Sequence, residues 1–287
     1  MRAAALCLIS LSIACGSVDS GTDVEGSVLT SGVHQVGAQP DNSRPVPYHG
    51  GPVIHRAQMV NLYWGSYFAT QTGANETSLF DAFKQAAGGT RWFNIATQYT
   101  DADGPIENRS IAGPTLLVPT DPPALLTDTA IRHFLTAQLT SGAVAWNPGA
   151  VYFIYTPPQT VVQLGQSKSC TGFCGYHEHY KLTLPGVGTV DVLYASIPHL
   201  ACPSACGTGS LKVNGTLLDS ETSAMSHELL ETVTDPLFNG WEAMKANDEV
   251  GDRCENTAQN FAANWGGERF AVQQIWSNRS ASCVDGM

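Results

Sequence analysis

Charge is what this chain has least of. Only 14% of its 287 residues are Asp, Glu, Lys or Arg, where an average globular protein has roughly 25%. Bases are scarcest: 14 Lys and Arg stand against 25 acids, a formal net charge of −11. No Lys/Arg cluster offsets that field locally, so binding to DNA or RNA is excluded. Long apolar runs are missing beyond the first residues, so no later segment has the length to span a bilayer. The chain also lacks a Gly-x-Ser-x-Gly elbow, a phosphate-binding loop and a dinucleotide fingerprint. Serine-hydrolase, kinase and dehydrogenase chemistry therefore have no support. Disorder is excluded too, because 43% hydrophobic residues supply a core. Ser, Thr, Asn, 28 Gly and 16 Pro take the place of charge, a composition typical of exported proteins.

The first residues read MRAAALCLISLSIACGSVDSG. Arg2 gives a positive start, and the apolar run Ala3 to Ala14 would make a helix of about 18 Å, too short for a bilayer core of about 30 Å. Residues 1–15 are therefore expected to be a signal peptide. Ser12, Ile13 and Ala14 before Cys15 resemble a bacterial lipobox, with Cys15 as the acylated residue; Ser12 departs from the usual Leu or Val. Residues 16–45, rich in Gly, Ser, Asp, Thr and Val, read as a flexible linker, and 46–287 as one folded domain. Of 8 cysteines, Cys7 and Cys15 belong to the leader. Cys170, Cys174, Cys202, Cys206, Cys254 and Cys283 remain, an even set that predicts three disulfides in an oxidising compartment. The pairs CTGFC and CPSAC could instead supply four thiolates to zinc. Cys254 with Cys283 is the first bridge to expect.

Periodicity places strands at 58–65, 114–120, 151–156, 191–197 and 270–276, and helices at 77–87, 90–99, 128–140 and from Asp219 or Ser220 to about Thr234. Thr127 caps the third of these helices. Strands alternating with helices predict an α/β or α+β domain, a single mixed sheet with flanking helices.

The last helix carries SHELLETVTDP. His227 and Glu231 lie four residues apart and share a face, which Asp235 continues. His-Glu-x-x-His is the zinc-hydrolase pattern in which two histidines bind the metal and the Glu takes a proton from water. Here a glutamate replaces the second histidine, and a carboxylate can ligate zinc as well. A third ligand would come from NDEVGDRCE, as Asp252 or Glu249. With 8 His in the chain, a His-Glu-x-x-Glu string is expected by chance on the order of 0.01 times. The competing reading is an amphipathic helix with a solvated polar face, or one whose Glu231 and Asp235 cap and pair locally. His177 and His179 in CGYHEHY share one strand face and could complete a metal site or polarise a carbonyl.

Three stretches together resemble the exordium, or phosphate-induced protein, family. They are PYHGGPVIHRAQMVNLYWGSYF (47–68), the cysteine pairs CTGFCGYH and CPSAC, and HELLETVTDPLFNGW followed by EVGDRC and RFAVQQIWSNRSASC. The resemblance spans Val46 to Cys283 and implies a secreted protein with a zincin-like fold and no securely assigned reaction. Some plant members lack the His and Glu of this helix; this chain keeps both.

The expectation is thus a bacterial-type, exported, lipid-anchored protein with zinc held by His227, Glu231 and Asp252 (or Glu249). Glu228 would be the general base toward a peptide or cell-envelope substrate, and the membrane would be met only through the N-terminal lipid. A non-catalytic envelope or matrix protein binding glycan or protein is the alternative, and a closed, purely structural metal site is a third. The sequons at Asn75, Asn108, Asn214 and Asn278 would matter only in a eukaryotic secretory pathway.

Overall fold

The computed structural model describes residues 44–201, 213–242, 248–255 and 260–287 in full, and 32–35 by backbone alone. The signal peptide with Cys15, most of the linker, and Cys202 and Cys206 lie outside the described residues. No helix among those described is long and apolar enough to cross a membrane.

The centre is a six-stranded mixed sheet. In chain order its strands are β1 (Gly32–Gln35), β2 (Ala57–Trp64), β3 (Ser110–Val118), β4 (Ala150–Tyr155), β5 (Phe173–Leu184) and β6 (Gly188–Ile197). Their order across the sheet is β1-β5-β6-β4-β2-β3. The pairs β6–β4, β4–β2 and β2–β3 are parallel, and β5 runs antiparallel to β6 and to β1. Strand β1 falls inside the segment read as a linker.

Parallel strands sit between helical layers, so the central ones are apolar on both faces. AVYFIY in β4 is buried at every position for this reason. Odd positions (Val151, Phe153, Tyr155) face a core shared with α1 (Gln71–Ala86) and α3 (Leu218–Thr234), and even positions (Tyr152, Ile154) face α2 (Asp128–Thr140). Thr127 caps α2 by accepting a hydrogen bond from the Ala130 N–H. The helix expected at 77–87 starts at Gln71, because Thr70 accepts from the Gly73 N–H and opens it earlier. The segment 90–99 forms a 3₁₀ helix over Phe93–Gln98.

The closing strand expected at 270–276 is two strands. β7 (Asn260–Trp265) and β8 (Glu268–Gln273) form one hairpin, and β9 (Ile275–Ser277) pairs with β10 (Ser282–Val284) in another. Cys254 is bridged to Cys283, Cα to Cα 5.7 Å. Cys170 and Cys174 are disulfide-bonded as well, so the four-thiolate zinc alternative does not hold for them. The architecture is a mixed α/β fold.

Candidate metal centre

Helix α3 carries the candidate residues, and its environment is unusual for its composition. Every residue from Asp219 to Thr234 is buried, although the stretch includes several Ser, Thr and acidic residues. Four of its hydroxyls are satisfied within the helix: Thr222 donates to Asp219 O, Ser226 to Ser223 O, Thr232 to Glu228 O and Thr234 to Leu230 O. An ionised carboxylate has no proton to give a helix carbonyl in this way. His227, Glu228, Glu231 and Asp235 are all 0% exposed, so the solvated polar face is excluded. Asp235 does cap locally, its Oδ1 accepting from the N–H groups of Asn239 and Gly240.

Opposite His227 and Glu231 lies the loop 248–255. Glu231 Oε1 accepts from the Gly251 N–H (3.1 Å) and the Asp252 N–H (2.9 Å). The Asp252 carboxylate accepts from the Glu249 N–H in turn. The Trp276 N–H donates to Val250 O, and the Cys254–Cys283 bridge anchors the loop's end. Gly251 is required by close approach: a Cβ there would stand 2.8 Å from Glu231 Oε1 and 2.9 Å from His227 Nδ1. Gly251→Ala is therefore expected to displace both side chains and lower metal affinity on the order of 10–100-fold. Competition against a chromogenic chelator reads this, with the circular-dichroism spectrum unchanged.

His227 Nε2 lies 2.9 Å from Glu231 Oε2 and 3.7 Å from Asp252 Oδ1. These three residues have ligand atoms close enough to hold one ion. The other ring nitrogen, Nδ1, is 3.1 Å from Gln273 Oε1, and Gln273 Nε2 donates to Gly251 O. The amide is thereby oriented with its oxygen toward the imidazole, so Nδ1 carries a proton and Nε2 is the ring nitrogen that faces Glu231 and Asp252. Nothing in the sequence pattern marked Gln273; its role comes only from the crossing of β8 over α3.

β5 supplies His177, 0% exposed. Its Nδ1 is 3.3 Å from Glu228 Oε2 and 3.6 Å from Glu231 Oε2, and its Nε2 is 3.6 Å from Glu249 Oε1. His177, Glu228 and Glu231 form a second group with ligand spacing. The structure thus separates the two candidates left open for the third ligand: Asp252 stands with His227 and Glu231, and Glu249 with His177. His179 turns from the cluster and is half-buried beside Asp191.

Burial dominates the electrostatics. It pushes the carboxyls of Glu228, Glu249 and Asp252 well above their usual range, and neighbouring carboxylates add to it. Burial pulls His177 down to about 4, against the pull of Glu231, so it is neutral at pH 7 and has a lone pair to offer. His227 rises instead: burial opposes its charge, but Glu231, Glu228 and Asp252 outweigh it. Glu231 is lowered, with the charge of His227 and hydrogen bonds overcoming desolvation. The residues fit a metal ion. Glu228 Oε1, Glu249 Oε1, Asp252 Oδ1 and His177 Nε2 are buried with no hydrogen-bond partner among the described residues, and buried polar atoms are ordinarily paired.

Fold and site together define an α/β protein built round a buried carboxylate–imidazole cluster. The chain is 26% identical over 284 residues to an EXORDIUM-like 5 protein of Arabidopsis thaliana, covering 82% of this chain and 76% of that one. It is 24% identical over 288 residues to EXORDIUM-like 3 of the same plant, covering 83% and 82%. These two similarities support its membership of the exordium family. No family model matches, and no solved structure matches.

Proposed function

We propose that this is an exported exordium-like protein whose α3 helix holds a metal ion, and that the ion serves hydrolysis of a peptide or amide bond in the cell envelope. The observation that carries the metal reading is the set of buried, unpartnered carboxylate oxygens converging on His227 and Glu231. His227, Glu231 and Asp252 would hold the ion, and zinc suits imidazole with carboxylate. When bound it would polarise a carbonyl and make water acidic enough to act at neutral pH. Glu228 is the carboxylate that sequence and position nominate to take the proton, and the His177 ring at 3.3 Å holds it in orientation. Glu228→Gln is expected to leave the ion at His227, Glu231 and Asp252 while reducing hydrolysis by at least 100-fold. Normal turnover would end the catalytic reading. Acylation of Cys15 would tether the domain to a bacterial membrane.

The decisive first experiment is elemental mass spectrometry of the exported protein purified from an oxidising compartment, beside His227→Ala. Metal bound to the parent and lost from the variant supports the reading, and absence from both sinks it. A second reading, a closed metal site in a non-catalytic matrix protein that binds glycan or protein, is favoured by burial. Among the described residues His227, Glu228, Glu231 and Asp252 are at most 1% exposed; structural metal sites are closed, whereas catalytic ones keep a position for water. Assay of peptide libraries with the metal-loaded protein separates the two.

A further inference from the structure

Buried carboxylates at α3 meet two separate imidazoles. Glu228, Glu231, Glu249 and Asp252 are between 0% and 4% exposed. Among the described residues, the imidazoles that touch them are His177 and His227. Arg253 lies on the same loop but is committed to Asp248 and to the Trp276 ring. Carboxylate oxygens buried without a hydrogen-bond partner among the described residues lie toward both rings. Glu228 Oε1 and Glu249 Oε1 are on the side of His177, and Asp252 Oδ1 is on the side of His227. Unpaired buried polar atoms are costly unless a cation meets them.

Geometry supplies the two seats. The donor atoms of His227, Glu231 and Asp252 all lie within 4.8 Å of one another, and so do those of His177, Glu228 and Glu231. Glu231 belongs to both groups. Its Oε2 stands between the rings, 2.9 Å from His227 Nε2 and 3.6 Å from His177 Nδ1. Gln273 Oε1, 3.1 Å from His227 Nδ1, is the kind of partner that orients an imidazole for ligation through its other nitrogen, and Glu249 Oε1 faces His177 Nε2 at 3.6 Å.

We propose that the cluster is a two-ion centre in which His227, Glu231 and Asp252 hold one divalent transition-metal cation, His177, Glu228 and Glu231 hold a second, and the Glu231 carboxylate bridges them. This rests on the metal reading above and moves Glu228 from free base to ligand. The loss of hydrolysis expected for Glu228→Gln is the same in either role.

The test is stoichiometry, read without any activity. The exported protein is dialysed to equilibrium against Zn²⁺, and separately against Mn²⁺, and the metal per chain is measured. Two ions per chain are expected, with the manganese form giving the broadened electron-spin resonance of a coupled pair. His177→Ala and Glu228→Gln are each expected to bring the count to one and restore an isolated six-line manganese signal. Glu231→Gln is expected to weaken both seats. One ion per chain in the parent overturns the two-ion centre and leaves the single-ion reading standing; no ion overturns both. Two ions that survive His177→Ala with full affinity also overturn the proposal, because the second seat would lie elsewhere. The count in the unmutated protein decides even if a variant fails to fold.

Discussion

Freed of metal by a chelator, the protein is expected to become less stable as the pH rises from about 6.5 to 8, and metal-loaded protein to show the opposite slope. The first half follows from the direction of the shifts. Glu228, Glu249 and Asp252 have raised carboxyl pKa values in the fold, chiefly through burial, and Glu255 is raised to about 8 for the same reason. Above pH 4.5 the unfolded chain has lost these protons while the fold still holds them. Stability is then fully present below the unfolded pKa and declines as the pH rises through the folded one, by about 1.4 kcal/mol per pH unit for each proton held. His227, raised above 6.5, acts in the same direction. Two groups of the cluster oppose this: His177, lowered to about 4, acts between about 4 and 6.5, and Glu231, also lowered, acts below 4.5. Both are silent above pH 6.5, which is why the window starts there. A bound cation needs deprotonated ligands, so binding releases the same protons and stability gains with pH. Urea unfolding of the two forms at pH 6.5, 7.2 and 8 measures both slopes. Equal slopes would mean that no ion sits among these carboxylates.

Replacing Cys254 and Cys283 together by Ser is expected to cost about 3 kcal/mol of stability, and metal affinity with it. The bridge closes a separation of 29 residues, and loops of that order lose about this much chain entropy when cross-linked. The second effect has a separate cause. Asp252 lies two residues before Cys254, and the 3₁₀ turn Asp252–Cys254 is the only regular structure in the described part of this loop. Without the bridge, the loop is held to α3 by the hydrogen bonds from Gly251 and Asp252 to Glu231 and to β8 by Gln273. Differential unfolding with and without Zn²⁺ separates the two losses. The metal-dependent increment should shrink in the variant; an undiminished increment would show that the loop needs no covalent anchor.

Local readings did well where one rule governed. α2 begins after Thr127 because a capping hydroxyl and apolar residues at Ile131, Leu135 and Leu139 agree. β4 is legible because it is apolar throughout, as a doubly covered strand must be. β5 was harder: FCGYHEHYKLTL is buried over its first five residues and mostly half-buried after them, so it has neither a continuous apolar run nor a full alternation. Only the two histidines marked it. In α3 the spacing of His227 and Glu231 was legible, but their burial was not. Ser, Thr and Glu read as a wet face unless other elements are known to cover them.

What the sequence by itself determined is the list of chemical groups and their local order. A helix places His227, Glu228 and Glu231 within one turn or so, and a disulfide-anchored loop carries Glu249 and Asp252 behind it. What only the tertiary structure decided is which of these groups meet. Strand β5 crosses α3 at Glu228 and brings His177; β8 brings Gln273 to the far side of His227; and the loop folds back so that Glu231 accepts two backbone N–H groups. Sequence separations of 46 and 51 residues carry no local signal. Such contacts arise from the packing of a sheet and a hairpin on one buried helix, and that packing also strips the carboxylates of water and raises the pKa of Glu228, Glu249 and Asp252.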